Sequence, residues 1–206
     1  MSSRELWPPI AGIRALKRAV EESGGTPVVL IDGPSGAGKS TLADRLVDEW
    51  PTGARPQLVR LDDIYPGWDG LDAASELLVD ELLEPRSRGA SAGWRRFDWA
   101  ADRPAEWHEI DPARSLLVEG CGALSIRSSA FADIRIWITA DDAVRKVRAL
   151  ARDGGSFDAH WDSWQAQWER FVARERPEEL AGFHIDADLD AAEKPRLLGP
   201  NPGEWV

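Results

Sequence analysis

The sequence predicts an α/β fold, a three-layer sandwich in which a parallel sheet of about five strands is covered by helices on both faces. Three observations lead there. Short apolar β-type stretches alternate with helix-like segments, the pattern of a doubly covered parallel sheet. The first such stretch runs straight into Gly-Pro-Ser-Gly-Ala-Gly-Lys-Ser-Thr at residues 33–41. Acidic residues follow the second and third stretches, where ligands gather at the carboxyl ends of open sheets. A chain of 206 residues with 43% hydrophobic content can bury one substantial core, and its length suits a single domain.

The elements follow in order. Residues 8–22 read as a helix, with Pro8 or Pro9 near its start, Ile13, Leu16 and Val20 on one face, and Gly24-Gly25 beyond its end. Residues 27–31 form the first strand. A helical pattern with Leu42, Leu46 and Val47 apolar follows the glycine-rich run. Residues 57–61 form the second strand and end in Asp62-Asp63. Two aromatic-rich β-like pieces within residues 94–110, separated by Arg103-Pro104, predict a hairpin lining a cleft. Residues 115–118 form the third strand, ending in Glu119-Gly120, and residues 134–138 the fourth. On the next helix Arg145, Arg148 and Arg152 stand on one face. Gly154-Gly155 suits the hinge of a helical lid over about residues 150–165. Residues 182–185 supply a short final strand, and the Pro- and Gly-rich tail after Lys194 is expected to wander over the surface.

Residues 33–40 match the phosphate-binding loop Gly-x-x-x-x-Gly-Lys-[Ser/Thr] without mismatch, in the strand-loop-helix context it requires. Gly33, Gly36 and Gly38 let backbone N–H groups turn inward, with Pro34, Ser35 and Ala37 completing a concave anion nest at a helix N-terminus. Lys39 would set an ammonium against the β and γ phosphates of ATP, Ser40 would ligate Mg²⁺, and Thr41, which closes the nucleotide-binding run, would serve the following helix turn. Phosphoryl transfer also needs a group that orients or deprotonates the acceptor and carboxylates that hold the metal; Asp62, Asp63 and Glu119 are the candidates. Arg148 and Arg152 are the arginines best placed to meet the transferring phosphate.

Eleven tryptophans stand beside one tyrosine. Trp68, Trp94 and Trp99 fall in segments expected around an acceptor cleft, where planar substrates stack, and Trp68 with Asp69 is the pair expected to touch the acceptor. Trp50 and Trp137 read as packing residues, and Trp161, Trp164 and Trp168 as a packing stripe at helical spacing. His108, His160 and His184 are scattered and make no zinc pattern with the lone Cys121, which reads as small and buried. No nucleophile elbow is visible. A formal charge of -11 disfavours nucleic acid and anionic membrane as partners. The single cysteine, the lack of an apolar leader and the lack of a stretch approaching ~18 apolar residues point to the cytoplasm.

These segments together resemble the uridine kinase and phosphoribulokinase branch of P-loop kinases. Leu61-Asp62-Asp63-Ile64-Tyr65 resembles that family's Asp-x-Phe-Tyr segment, and Phe97-Asp98-Trp99 followed by Arg103 its Tyr-Asp-Phe and downstream Arg. Leu117-Val118-Glu119-Gly120 resembles its strand ending in Glu-Gly, and Arg148 with Arg152-Asp153 its Arg-rich lid helix. The resemblance implies a P-loop NTPase fold, ATP and Mg²⁺ as cofactors, Asp62 as general base and Glu119 near metal and substrate. It also implies that Asp63, Tyr65, Phe97, Asp98 and Arg103 lie around the acceptor, with Asp62 among the metal-associated residues. Two departures stand out: Ala100-Ala101-Asp102 where uridine-binding members carry a His, and Gly154-Gly155-Ser156-Phe157 in place of the lid's Glu-Arg-Gly-Arg.

The reading is a monomeric or homodimeric kinase for a hydroxyl of a small metabolite, nucleoside-like or otherwise. Two others stand beside it: a nucleotide kinase whose acceptor is a phosphate, and an ATP-binding switch that hydrolyses slowly.

Overall fold

The computed structural model describes residues 10–152 and 155–188. Pro8, Pro9, Asp153, Gly154 and the tail after Lys194, all used in the sequence reading, lie outside the described residues.

Helix α1 (Ile10–Ser23) buries Ile13, Leu16 and Val20, and Gly24 and Gly25 leave it at positive φ. Strand β1 (Val28–Asp32) is buried along its whole length. The loop that follows turns into α2 (Lys39–Asp48), whose Leu42, Ala43 and Leu46 face inward. Strand β2 (Gln57–Arg60) gives way at Leu61–Asp63 to a 3₁₀ turn, one residue earlier than the apolar run suggests. Helix α3 (Leu71–Leu77) continues through a π-helical stretch (Leu78–Leu83) into α4 (Glu84–Ser87). The expected hairpin is present as antiparallel β3 (Gly93–Asp98) and β4 (Arg103–Glu109). Then come β5 (Leu116–Glu119), α5 (Ile126–Ser129), β6 (Ile134–Thr139), α6 (Asp142–Arg152), α7 (Trp161–Glu175), α8 (Pro177–Leu180) and β7 (Phe183–Asp186).

The main sheet has five strands in the order β2-β5-β1-β6-β7, all parallel. Strand alternation makes the three layers. Val28 and Leu30 of β1 join a core with α3, the π-helical stretch and α7, whereas Val29 and Ile31 join a core with α1 and α2. The α/β sandwich predicted from sequence is therefore observed. Among the described residues no helix is long and apolar enough to cross a membrane.

Candidate active site

The carboxyl ends of β1, β5 and β2 lie side by side, and what each carries is set by where its strand stops. β1 delivers Asp32 and the glycine-rich loop, β5 delivers Glu119 and the turn through Cys121, and β2 delivers Asp62 through its 3₁₀ turn. The loop cannot take side chains at two of its glycines. A Cβ on Gly33 (φ +149°) would meet the Ile138 carbonyl oxygen at 2.0 Å, and one on Gly36 (φ +79°) the Arg145 carbonyl oxygen at 2.0 Å.

Lys39 is buried, and its ammonium donates to the carbonyls of Gly33 at 2.8 Å and Pro34 at 3.0 Å, with Cys121 Sγ at 3.3 Å. Burial alone would lower its pKa; the Cys121 sulfur and the Glu119, Asp32 and Asp62 carboxylates around it outweigh that and raise it, so the ammonium stays charged. Glu119 is buried beside it, bridged at 3.1 Å to Arg60, which also holds Asp44 at 2.5 Å. Burial pushes the Glu119 pKa up, and Lys39, a hydrogen bond with Ser40 and Arg60 restrain the rise.

These groups border a cavity of about 300 Å³ whose lining includes Ser35, Gly36, Gly38, Lys39, Ser40, Thr41, Glu119, Arg148 and Arg152. Backbone nest, charged lysine and exposed arginines together fit a polyphosphate. Ser40 and Glu119, one hydroxyl and one carboxylate in mutual contact on that cavity, are an all-oxygen set that fits Mg²⁺. Among the described residues no group of three or more His, Cys, Asp or Glu is placed to hold a metal ion.

A second cavity, of about 350 Å³, adjoins the first and is walled by Tyr65, Trp68, Trp99, Phe157 and Trp164. Trp68 stacks on His160 at 4.4 Å and on Phe157 at 5.3 Å, and leans on Trp99 at 4.8 Å. Trp99 donates its indole N–H to the Asp62 carbonyl, fixing the hairpin's end against the acidic turn. Ser35, Asp62 and Arg152 line both cavities. Asp62 and Arg152 form an ion pair at 3.7 Å there.

Several residues expected at the site sit elsewhere. Asp63 turns away from both cavities into the surroundings of Arg60, Arg96 and His108, and burial, then Asp62, raises its pKa. Phe97 is buried under the hairpin against Trp99. Asp98 accepts the N–H groups of Ala100 and Ala101 and so shapes the hairpin turn, with Arg103 paired opposite it. Asp69 is exposed and lines neither cavity. Tyr65 does reach the aromatic cavity, while its hydroxyl donates to the Cys121 carbonyl. Arg145, one of the three same-face arginines, is buried instead against α7, bonded to Asp142 and Gln165 and lying over Trp161. Arg148 stays on the phosphate cavity, paired with Asp188 at 3.3 Å. Thr41, the last residue of the expected nucleotide-binding run, lines the same cavity from the first turn of α2.

Three participants escaped the sequence reading. Asp32 is fully buried and its carboxylate accepts three backbone N–H groups, from Gly33 at 2.7 Å, Gly122 at 3.0 Å and Leu124 at 2.8 Å, tying the loop after β5 to the phosphate loop. Burial raises its pKa from 3.8 to about 7. Its place, an acidic residue ending an otherwise apolar strand, was the available signal. Cys121 is buried as expected, yet its sulfur touches Lys39 and the Gly33 carbonyl. Trp164, read only as packing, also bonds the phosphate loop.

No protein-family profile matches the sequence. Over 149 residues the chain is 26% identical to inorganic pyrophosphatase TTM2 of Arabidopsis thaliana, a match taking in 69% of this chain and 22% of that protein. The chain thus spans less than a quarter of that relative's length. Among solved structures it superposes on one described as a possible uridine kinase from Bacillus stearothermophilus, with TM-score 0.60 and 17% identity over 84% of this chain and 97% of that one. It also superposes on one provisionally described as a fructose transport system kinase from Silicibacter sp. TM1040, with TM-score 0.50 and 20% identity over 84% of this chain and 98% of that one. At these identities the likeness is one of fold, an α/β sandwich shared with both of those structures.

Proposed function

We propose that this chain is an ATP-dependent kinase that moves the γ phosphate onto a hydroxyl of a small metabolite bearing a flat ring, nucleoside-like or otherwise. The observation that carries the reading is the shared wall: the phosphate cavity and the aromatic cavity meet at Ser35, Asp62 and Arg152. A hydroxyl on a ring held among Trp68, Trp99 and Phe157 would lie between the γ phosphate and Asp62. Its oxygen forms the new P–O bond as the bond to the β-phosphate oxygen breaks, Asp62 takes its proton, and ADP leaves. Lys39, Arg148 and Arg152 carry the positive charge that meets the phosphates. Ser40 and Glu119 would hold Mg²⁺, which when bound neutralises charge on the phosphate oxygens.

In this reading residues around 150–165 act as the lid of a single kinase domain, with Phe157 and His160 clasping Trp68. A neutral acceptor is favoured over a phosphate because, among the described residues walling the aromatic cavity, Arg152 is the cation, and Asp62 already partners it.

The test is transfer from labelled ATP with Mg²⁺ across nucleosides, sugars, vitamins and amino alcohols, with Lys39→Ala as blank. A labelled product absent from the blank supports the kinase. Nucleotide binding with label released only as inorganic phosphate, whatever the acceptor, sinks it in favour of the slow-hydrolysing switch.

A further inference from the structure

Trp164 belongs to two places at once. Its buried ring walls the aromatic cavity, edge-on to Tyr65 at 4.8 Å and to Phe157 at 6.3 Å. Its indole N–H donates to Ser35 Oγ at 3.0 Å, and Ser35 belongs to the phosphate loop. Ser35 Oγ lies 3.4 Å from Cys121 Sγ, which lies 3.3 Å from the Lys39 ammonium. The helix that carries Trp164 is tied to the other parts of the site as well. Gln167 donates to the Trp68 carbonyl at 2.8 Å, and Gln165 accepts from Arg145 at 2.9 Å, whose own carbonyl oxygen packs on Gly36.

We propose that Trp164 is a positioning residue that fixes the phosphate loop through Ser35 and thereby makes nucleotide binding and filling of the aromatic cavity depend on each other. A hydrogen bond weakens steeply as its angle closes, so a ring entering the cavity and nudging the indole alters the hold on Ser35. By linkage, nucleotide seated on the loop alters the cavity in return. What fills the cavity rests on the kinase reading; the link from Trp164 to nucleotide affinity does not.

The experiment is calorimetric binding of a non-hydrolysable ATP analogue with Mg²⁺ to the wild type, Trp164→Phe, Ser35→Ala and the double variant, with thermal melting run alongside. Each single variant is expected to weaken binding about fivefold, the worth of one neutral hydrogen bond, and the double variant no more than either single. Multiplying losses in the double variant, or wild-type affinity in a folded Trp164→Phe, overturn the proposal. If Trp164→Phe does not fold, Ser35→Ala decides, since it leaves the indole in place and wild-type affinity there overturns it equally. The two readings fail differently. A failed kinase gives no labelled product while the cycle stays non-additive; a failed coupling gives labelled product with independent losses.

Discussion

Lys39 and Asp62 make opposite demands on an experiment. Removing the buried Lys39 ammonium strips charge from the phosphate site, so Lys39→Ala is expected to cut transfer about a thousandfold, read as product per enzyme at saturating ATP. Asp62 is exposed and stands at the junction, so Asp62→Asn should lower turnover about a hundredfold or more while the affinity for an ATP analogue stays within about twofold. Equal turnover of Asp62→Asn and wild type would remove it as the base. Asp32 makes a prediction in pH. Its carboxyl titrates at 3.8 when free and at about 7 in the fold, so the native state holds a proton the unfolded chain has released. The stability it contributes is present below about pH 4 and lost as pH rises to about 7, by roughly 4 kcal/mol at most. Denaturant unfolding should show the wild type losing stability across that window relative to Asp32→Asn. Parallel curves would refute it. The motif made Lys39 legible in the sequence because its backbone requirements are local. Asp32 was not, because its partners Gly122 and Leu124 arrive from a distant part of the chain.

Strands and loops were legible wherever a local period or a glycine constraint governs them. All five strands of the sheet were anticipated within a few residues, since buried parallel strands read as apolar runs. The apolar Leu61 reads as the last residue of the second strand but opens the 3₁₀ turn Leu61–Asp63, from which Asp62 lines both cavities and Asp63 lines neither. The glycines of the phosphate loop carry their own test. Gly36→Ala would drive a Cβ into the Arg145 carbonyl oxygen, backbone that cannot swing aside, so the loop or α6 must shift. We expect a loss of about 1–3 kcal/mol in stability and at least about a tenfold loss of nucleotide affinity. A melting temperature and affinity both matching the wild type would show the loop more plastic than its packing on α6 suggests. The arginine helix shows the limit of periodicity: Arg145, Arg148 and Arg152 share spacing, yet α7 claims Arg145 and leaves the other two to the phosphate cavity.

Across the whole molecule, the sheet order places β1 between β5 and β6, so the phosphate loop opens at the centre of the strand ends with Glu119 beside it and Asp62 one strand further. A ligand bound there would touch loops from several strands and stabilise the native state as a whole. ATP with Mg²⁺ at about a hundred times its Kd should raise the melting temperature by about 5–10 °C, and Lys39→Ala should lose most of that rise. A wild-type shift of zero would deny nucleotide binding at the loop. By itself the sequence determined the layered α/β plan, the glycine-rich loop after β1 and the places of Asp62 and Glu119 at the ends of their strands, because strand periodicity and the loop's glycine needs are written in neighbouring residues. Only the tertiary structure decided which aromatic rings form a cavity, that Asp63, Asp69, Phe97, Asp98 and Arg103 stay off it, and that Asp32, Cys121 and Trp164 join the site. Those memberships depend on contacts between segments up to 129 positions apart, as for Trp164 and Ser35, and no local pattern in a chain encodes such a meeting.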